Sequence, residues 1–285
     1  MNKIYIIILT HNQIKDTLLC LSSLVKVSVK NYRTKIIIID NASSDNTPKI
    51  IKKKYPQIRI IRNKQNLGFS KGVNQGLEIA LEDKEMKYVL LLNNDTQVER
   101  NFLEKLVSTA QSKKAIGIVA PALKHYVKNQ LFYGLEGHLD KNIGICTHRN
   151  LRSLRSRKLV YADFVSGCCM LIKREVLEKI GLFEEKYYLY LEDVDYCLMA
   201  KKEGFRVALD PAIVISHQVS ASFSANPLAK LPHSFKSNLY FIFKWTPPRH
   251  KILAWFHCCY FYPSLAILWG LSILRRKIFR KKVNK

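Results

Sequence analysis

Two groups of acids stand out by type and spacing. Residues 90–96 read Leu-Leu-Leu-Asn-Asn-Asp-Thr, so a buried-looking strand runs into the carboxamides Asn93 and Asn94 and the carboxylate Asp95. That places Asp95 at the carboxyl end of a strand, where open α/β sheets gather their ligands. It reads equally as a turn residue, because Asn-Asp clusters also end strands for local reasons. Residues 190–195 read Tyr-Leu-Glu-Asp-Val-Asp and open a helix with Glu192, Asp193 and Asp195. These acids are either caps and dipole partners, or one carboxylate held at a cleft while its neighbours bond backbone or substrate hydroxyls. His217 ends a short strand; it is either a satisfied lone histidine or, with Asp95, half of a mixed oxygen and nitrogen cation site.

Three polar turns point to the same crevice. Thr10-His11-Asn12 follows the first strand and Asp40 to Asp45 the second, so both lie at carboxyl ends of neighbouring parallel strands. Asp40 could bond a base or ribose edge, or could close an Asx-turn that starts the next helix. Residues 66–74 form the third turn, where Gly68 lets backbone come close to a ligand, Asn66 precedes it and Asn74 lies one helical turn inside.

The elements that must position these groups follow from hydrophobic periodicity. Nearly continuous Ile, Val and Leu runs predict strands at 4–9, 35–39, 58–62, 88–92 and 117–120, buried on both faces as in a largely parallel sheet. Helices are expected at 14–25, 48–54, 71–81 and 102–111, with Pro48 in a first turn and Ser70 as an N-cap. Residues 121–160 lose the rhythm and carry Arg149, Arg152, Arg155, Arg157 and Lys158: a solvated loop, or a mobile one that closes over phosphates. Regular structure returns with a strand at 168–172, a helix stopped by Gly181, a helix at 192–202 and short strands at 207–209 and 214–216.

Seven cysteines show neither metal spacing nor a disulfide framework, and the apolar start at 1–9 is too short for a signal peptide. A reduced, cytosol-facing protein is expected. The net charge of +25 is concentrated late, since no Asp or Glu follows Asp210. Nucleic acid, anionic lipid and phosphorylated substrates all suit such a surface; the absence of an aromatic-interleaved recognition motif counts against nucleic acid. Residues 234–245 predict a helix broken by Pro247-Pro248, and residues 252–274 run 23 positions without a charge before seven Lys or Arg in the last eleven. That length could span a bilayer, but His257, Pro263 and six aromatic rings favour re-entrant or monotopic insertion, with a soluble packing helix as the third reading.

Taken in order, these motifs resemble the inverting family 2 glycosyltransferases of the GT-A fold, and within them the bacterial rhamnosyltransferase-like branch. The resemblance covers residues 3–224 and rests on Thr-x-Asn at Thr10 to Asn12, Asp-Asn-Ala-Ser-x-Asp at Asp40 to Asp45, Asn-x-Gly-Phe at Asn66 to Phe69, Asn-Asn-Asp-Thr at Asn93 to Thr96, residues 167–172, Glu-Asp-Val-Asp at Glu192 to Asp195, and His217. It implies a Rossmann-like nucleotide-binding sheet with a nucleotide-sugar half at 1–120 and an acceptor half at 121–224; residues 225–285, outside the resemblance, are expected from their own apolar and basic pattern to form a membrane-associating helical tail.

The resemblance further implies that Thr10, Asn12 and Asp40 hold the nucleotide, that Asp95 and His217 bind Mg²⁺ or Mn²⁺ on the donor diphosphate, and that Asp193 is the general base. Asn66, Gly68, Asn74, Asn93, Asn94, Glu192 and Asp195 complete the expected substrate site. Asn93 and Asn94 stand where the metal motif more often carries acids, so less charge is available to hold the ion before the donor arrives. The expected partners are a nucleotide sugar, dTDP-rhamnose first, a lipid-linked saccharide acceptor, and the anionic cytoplasmic face of the plasma membrane. The competing class is a non-catalytic relic that binds nucleotide sugars or glycans; a nucleotidyltransferase would need a Gly-rich basic loop after strand one.

Overall fold

The computed structural model describes residues 1–127, 129–140, 142–154, 158–218 and 227–283. Its centre is one mixed sheet. Strands β1 (Lys3–Thr10), β2 (Arg33–Asp40), β3 (Arg59–Arg62) and β4 (Met86–Leu92) pair in parallel in the order β3-β2-β1-β4. Helices α1 (Ile14–Leu24), α2 (Thr47–Lys54) and α3 (Phe69–Glu82) make the crossovers, and α4 (Phe102–Ser112) follows the two-residue β5 (Thr96–Gln97).

Both faces of the sheet are covered, which is why its strands are apolar at successive positions. In β1, Ile4, Ile6 and Ile8 pack toward α1, α2 and α4, while Tyr5 and Ile7 pack toward α3. Gly72 and Gly76 allow α3 to lie close on the sheet, since a Cβ at either would collide with Leu9 or Ile7.

The next sheet neighbour of β4 is not the following long strand. It is β10 (Cys169–Lys173), antiparallel, which separates β4 from β6 (Ile116–Val127). Strand β11 (Arg206–His217) then runs parallel to β6 and ends antiparallel to β5. The two short strands expected at 207–209 and 214–216 are one strand, irregular between Asp210 and Val214.

Residues 121–160 correct the sequence expectation. They are largely a β-ribbon: β6 continues to Val127 and pairs with β7 (Gln130–Asp140), which pairs with β8 (Ile145–Leu151). Their exposed residues keep them from reading as buried strands. Arg149 lies on β8, its guanidinium 2.7 Å from the buried Glu136 carboxylate, and Arg152 donates to Gln130 at 3.2 Å. Arg155 and Arg157 lie outside the described residues. The two-residue β9 (Val160–Tyr161) leads on to β10, α5 (Arg174–Ile180) and α6 (Glu192–Lys202).

The tail is a helical hairpin, α7 (Pro227–Trp245) and α8 (Pro248–Val283), turning at the proline pair as expected. Phe241 of α7 is fully buried in the main core, and Ala254 and Cys258 of α8 pack on Ile242. Among the described residues no helix is long and apolar enough to cross a membrane. Along α8, Ile252, Leu253, Phe256, Tyr260 and Ile267 are exposed.

Candidate active site

The carboxyl ends of β1, β2 and β4 carry the first polar shell. Asn12 has a left-handed backbone, φ 54°, and its Oδ1 accepts from the Ser44 amide at 2.7 Å, stitching the first two turns together. Asp40 is fully buried; its Oδ2 accepts from the Ser43 amide at 3.2 Å and lies 3.7 Å from Arg62 Nε. The other oxygen, Oδ1, has no protein partner. Burying such an acceptor unmatched costs about 1–3 kcal/mol, which a ligand can recover.

Thr10 and Asn94 form a buried brace: the Asn94 amide donates to Thr10 Oγ1 at 3.3 Å, Gln13 Oε1 at 3.0 Å and Thr17 Oγ1 at 3.0 Å. Asn41, which sequence reasoning passed over, is the hub beneath the rim. Its amide donates to the Gly68 carbonyl at 2.9 Å and to Asn66 Oδ1 at 3.2 Å, and its Oδ1 accepts from Asn63 at 2.8 Å. The sequence signal was its place directly after Asp40.

Several expected ligand contacts are made by the chain itself. Gly68 (φ +80°) makes room for Tyr188, whose carbonyl would lie 2.5 Å from an added Cβ. Gly68 is also the N-cap of α3, which leaves Ser70 buried inside the helix and not capping it. Asn66 Oδ1 accepts from the Gly68 amide at 3.0 Å. Asn74 is buried and clips the Phe183 backbone, donating at 2.9 Å and accepting at 3.0 Å. Asp195 is 1% exposed, and its carboxylate takes bonds from Trp245 Nε1 at 2.6 Å, Lys244 Nζ at 2.8 Å and Tyr187 at 3.2 Å. In this structure Asn74 and Asp195, both expected as substrate contacts, are buried and bonded within the chain.

Asp95 and His217 do meet. Asp95 Oδ1 is buried and 3.2 Å from His217 Nε2, without a hydrogen bond aligned between them. Once its proton is displaced, the imidazole nitrogen beside the Asp95 carboxylate suits a cation. Burial works against charge on the imidazole, but the Cys168 sulfur and the Asp95 carboxylate outweigh it and push its pKa up to about 11. Burial also raises the Cys168 thiol. Among the described residues no group of three or more His, Cys, Asp or Glu surrounds one point.

Asp193 is joined to this region through two adjacent residues. The Gly167 amide donates to Asp193 Oδ2 at 2.8 Å, while the Cys168 carbonyl accepts from the Asn93 amide at 2.8 Å. Asp193 Oδ1 accepts from Val194 at 2.8 Å. Glu192 is buried beside it with Oε2 unpartnered, and burial reinforced by the Asp193 charge holds its carboxyl well above the usual range. The helix bearing both acids starts from a strained backbone: Tyr190 and Leu191 are left-handed, φ 69° and 70°. Such residues cost about 1–3 kcal/mol each and persist where the surroundings over-determine them, often at functional sites.

The glycosyl transferase family 2 model matches residues 5–181, more than half of the chain. The chain belongs to this family. It is 25% identical over 226 residues, 73% of its length and 74% of the relative's, to an N-acetylglucosaminyl-diphospho-decaprenol L-rhamnosyltransferase of Mycobacterium tuberculosis. A dTDP-rhamnosyl transferase of Shigella flexneri is 22% identical, covering 76% of this chain and 70% of the relative. A low-salt glycan biosynthesis hexosyltransferase of Haloferax volcanii is 26% identical over 63% of the chain and 59% of its own length. Among solved structures, GalNAc-T7 with UDP, GalNAc and Mn²⁺ superposes with a TM-score of 0.62 at 15% identity, covering 84% of this chain and 48% of the other, so the present chain spans about half of that one. The fold is thus the mixed α/β, GT-A-like one, and the protein is a glycosyltransferase. The family match ends before Glu192 and Asp193.

Proposed function

We propose that the protein moves rhamnose from dTDP-rhamnose to a hydroxyl of a lipid-linked saccharide, with inversion, in the assembly of a cell-surface polysaccharide. The observation that carries the site assignment is a set of unpartnered buried carboxylate oxygens, on Asp40, Asp95 and Glu192, at the strand ends and helix start flanking Asp193. The mycobacterial and Shigella relatives, both rhamnosyltransferases by name, support the sugar, and the decaprenol in the former supports a lipid-linked acceptor.

In this reading residues 1–120 provide the donor side and 121–224 the acceptor side. Asn12 and Asp40 bond the nucleotide, with Thr10, Asn66 and Asn94 bracing the turns beneath it and Asn93 lining the donor. Asp193 takes the proton of the acceptor hydroxyl as it attacks the anomeric carbon. Its two backbone hydrogen bonds orient the carboxylate and leave each oxygen a second lone pair for that hydroxyl. Burial favours the neutral form of Glu192, and in that form it would donate to a sugar oxygen. With one base and no protein nucleophile, displacement is direct and the anomeric configuration inverts. Mg²⁺ or Mn²⁺ held by Asp95 and His217 would offset negative charge on the departing diphosphate.

The tail of residues 225–285 supports a peripheral or monotopic seat on the cytoplasmic face of the plasma membrane. Exposed Ile252, Leu253, Phe256 and Tyr260 are an apolar payload, and the seven basic residues after 274 suit anionic lipid.

Thermal-shift measurements against a panel of nucleotide sugars, with and without Mn²⁺, test the donor assignment, since stabilisation follows ligand concentration over Kd. dTDP-rhamnose should give the largest shift, and its transfer product should have the opposite anomeric configuration by NMR. Equal or absent shifts across the panel would remove the donor assignment.

A further inference from the structure

Helix α6 begins at a point where the backbone is left-handed at two successive non-glycine residues, Tyr190 and Leu191. Slippage of this start by one residue would turn the first side chains by about 100° around the helix axis. Asp193 would then leave Gly167, whose amide it now accepts at 2.8 Å. The start must therefore be pinned, and the pins come from outside the region matched by the family model.

Helix α7 forms a seam along the segment before and after Asp193. The Tyr240 hydroxyl donates to Glu184 at 2.9 Å and Ser237 Oγ to the Leu189 carbonyl at 2.9 Å, next to the left-handed pair. Beyond Asp193, the end of α7 supplies Lys244 Nζ at 2.8 Å and Trp245 Nε1 at 2.6 Å to Asp195. Asp195 is buried and lies two residues after Asp193 in the same turn of α6. Charge-assisted hydrogen bonds of this kind are short and directional, so they fix orientation as well as proximity.

We propose that Trp245 and Lys244 are positioning residues for the transfer reaction, acting through Asp195 to hold the first turn of α6 and with it the Asp193 carboxylate. The proposal rests on the reading of Asp193 as the base. It makes α7 part of the catalytic frame, separate from any role of α8 at a membrane. Misplacement of a reacting group by about 1 Å can lower a rate 100-fold, so loss of one pin need not unfold the domain to be felt.

Trp245→Phe keeps the ring and removes the N–H donor. On a soluble acceptor analogue kcat should fall roughly 10- to 100-fold, with donor Kd and donor KM unchanged at a temperature where circular dichroism shows the variant folded. Lys244→Met, which keeps an apolar stem, is read in the same way and serves if Trp245→Phe does not fold. In the Asp193→Asn background either change should alter the residual rate less than about twofold, because residues acting as a unit are not additive. A normal kcat in both folded variants, or a kcat loss that persists in full without the Asp193 carboxylate, would overturn the proposal. Near-normal turnover of Asp193→Asn alone would instead overturn the base assignment, and it is seen without reference to Trp245.

Discussion

Gly167 and Asp193 are joined by a 2.8 Å hydrogen bond that ties the start of β10 to the first turn of α6. The next residue, Cys168, accepts from Asn93, two positions before Asp95. One dipeptide thus yokes the proposed base to the proposed cation site, although the two acids are almost a hundred residues apart in sequence.

Asp193→Asn should lower the transfer rate by about 10²–10⁴, the range of a lost general base. The carboxamide can still accept from Gly167, so nucleotide affinity should stay within twofold by calorimetry. Retained turnover would exclude Asp193 as the base.

Asp95→Ala and His217→Ala should each weaken donor binding in the presence of Mn²⁺ and abolish the difference between Mn²⁺ and chelator. Calorimetric titration of the nucleotide diphosphate under both conditions gives the comparison. A variant that keeps the full Mn²⁺ response would remove its residue from the cation site.

Glu192→Gln should stabilise the protein at alkaline pH while impairing transfer. The folded state holds this acid above its unfolded value of about 4.3, because burial disfavours its charge. An acid with a raised folded pKa binds its proton more tightly when folded, so wild-type stability falls as pH climbs from that unfolded value toward the folded one. Gln has no such penalty. The variant's Tm should exceed the wild-type Tm at pH 8, with the gap closing toward pH 4; a gap that is independent of pH would contradict the assignment.

Truncation after Trp245 removes α8 and the basic flank but keeps Lys244, Trp245 and Phe241. The shortened protein should lose flotation with anionic vesicles, keep activity on a soluble acceptor and lose it on a lipid-linked one. For the intact chain, binding abolished by high salt would indicate surface charge, at about 1 kcal/mol per basic residue, and salt-resistant binding an inserted helix. Absence of binding at either salt would leave α8 a packing helix.

The sequence was most legible where both faces of an element are covered. Strands β1, β2 and β4 and helices α1 to α4 announced themselves within about two residues, because burial demands the apolar runs from which they were read. The β6-β7-β8 ribbon did not, since exposed Thr147, His148 and Arg149 interrupt the alternation that marks a half-buried strand. Asp95 and His217 could be paired from their positions at strand ends. Asp195 could not be separated from Glu192 and Asp193: all three are acids at one helix start, and only Trp245 and Lys244, fifty residues onward, decide that it faces the tail.

The place of β10 in the sheet has a consequence during synthesis. Strand β4 is complete once Leu92 is made, yet its neighbour across the register Leu90 to Leu171 arrives about 80 residues later. At ribosomal speeds of about 5–20 residues per second, that is a wait of roughly 4–16 s. A nascent chain stalled before Cys169 leaves one edge of β4 and both edges of the first half of β6 bare, and bare apolar edges recruit strands from other chains. The strand that brings Gly167 to Asp193 is therefore also the keystone of the nascent domain, and a polypeptide released without it should aggregate before it can bind anything.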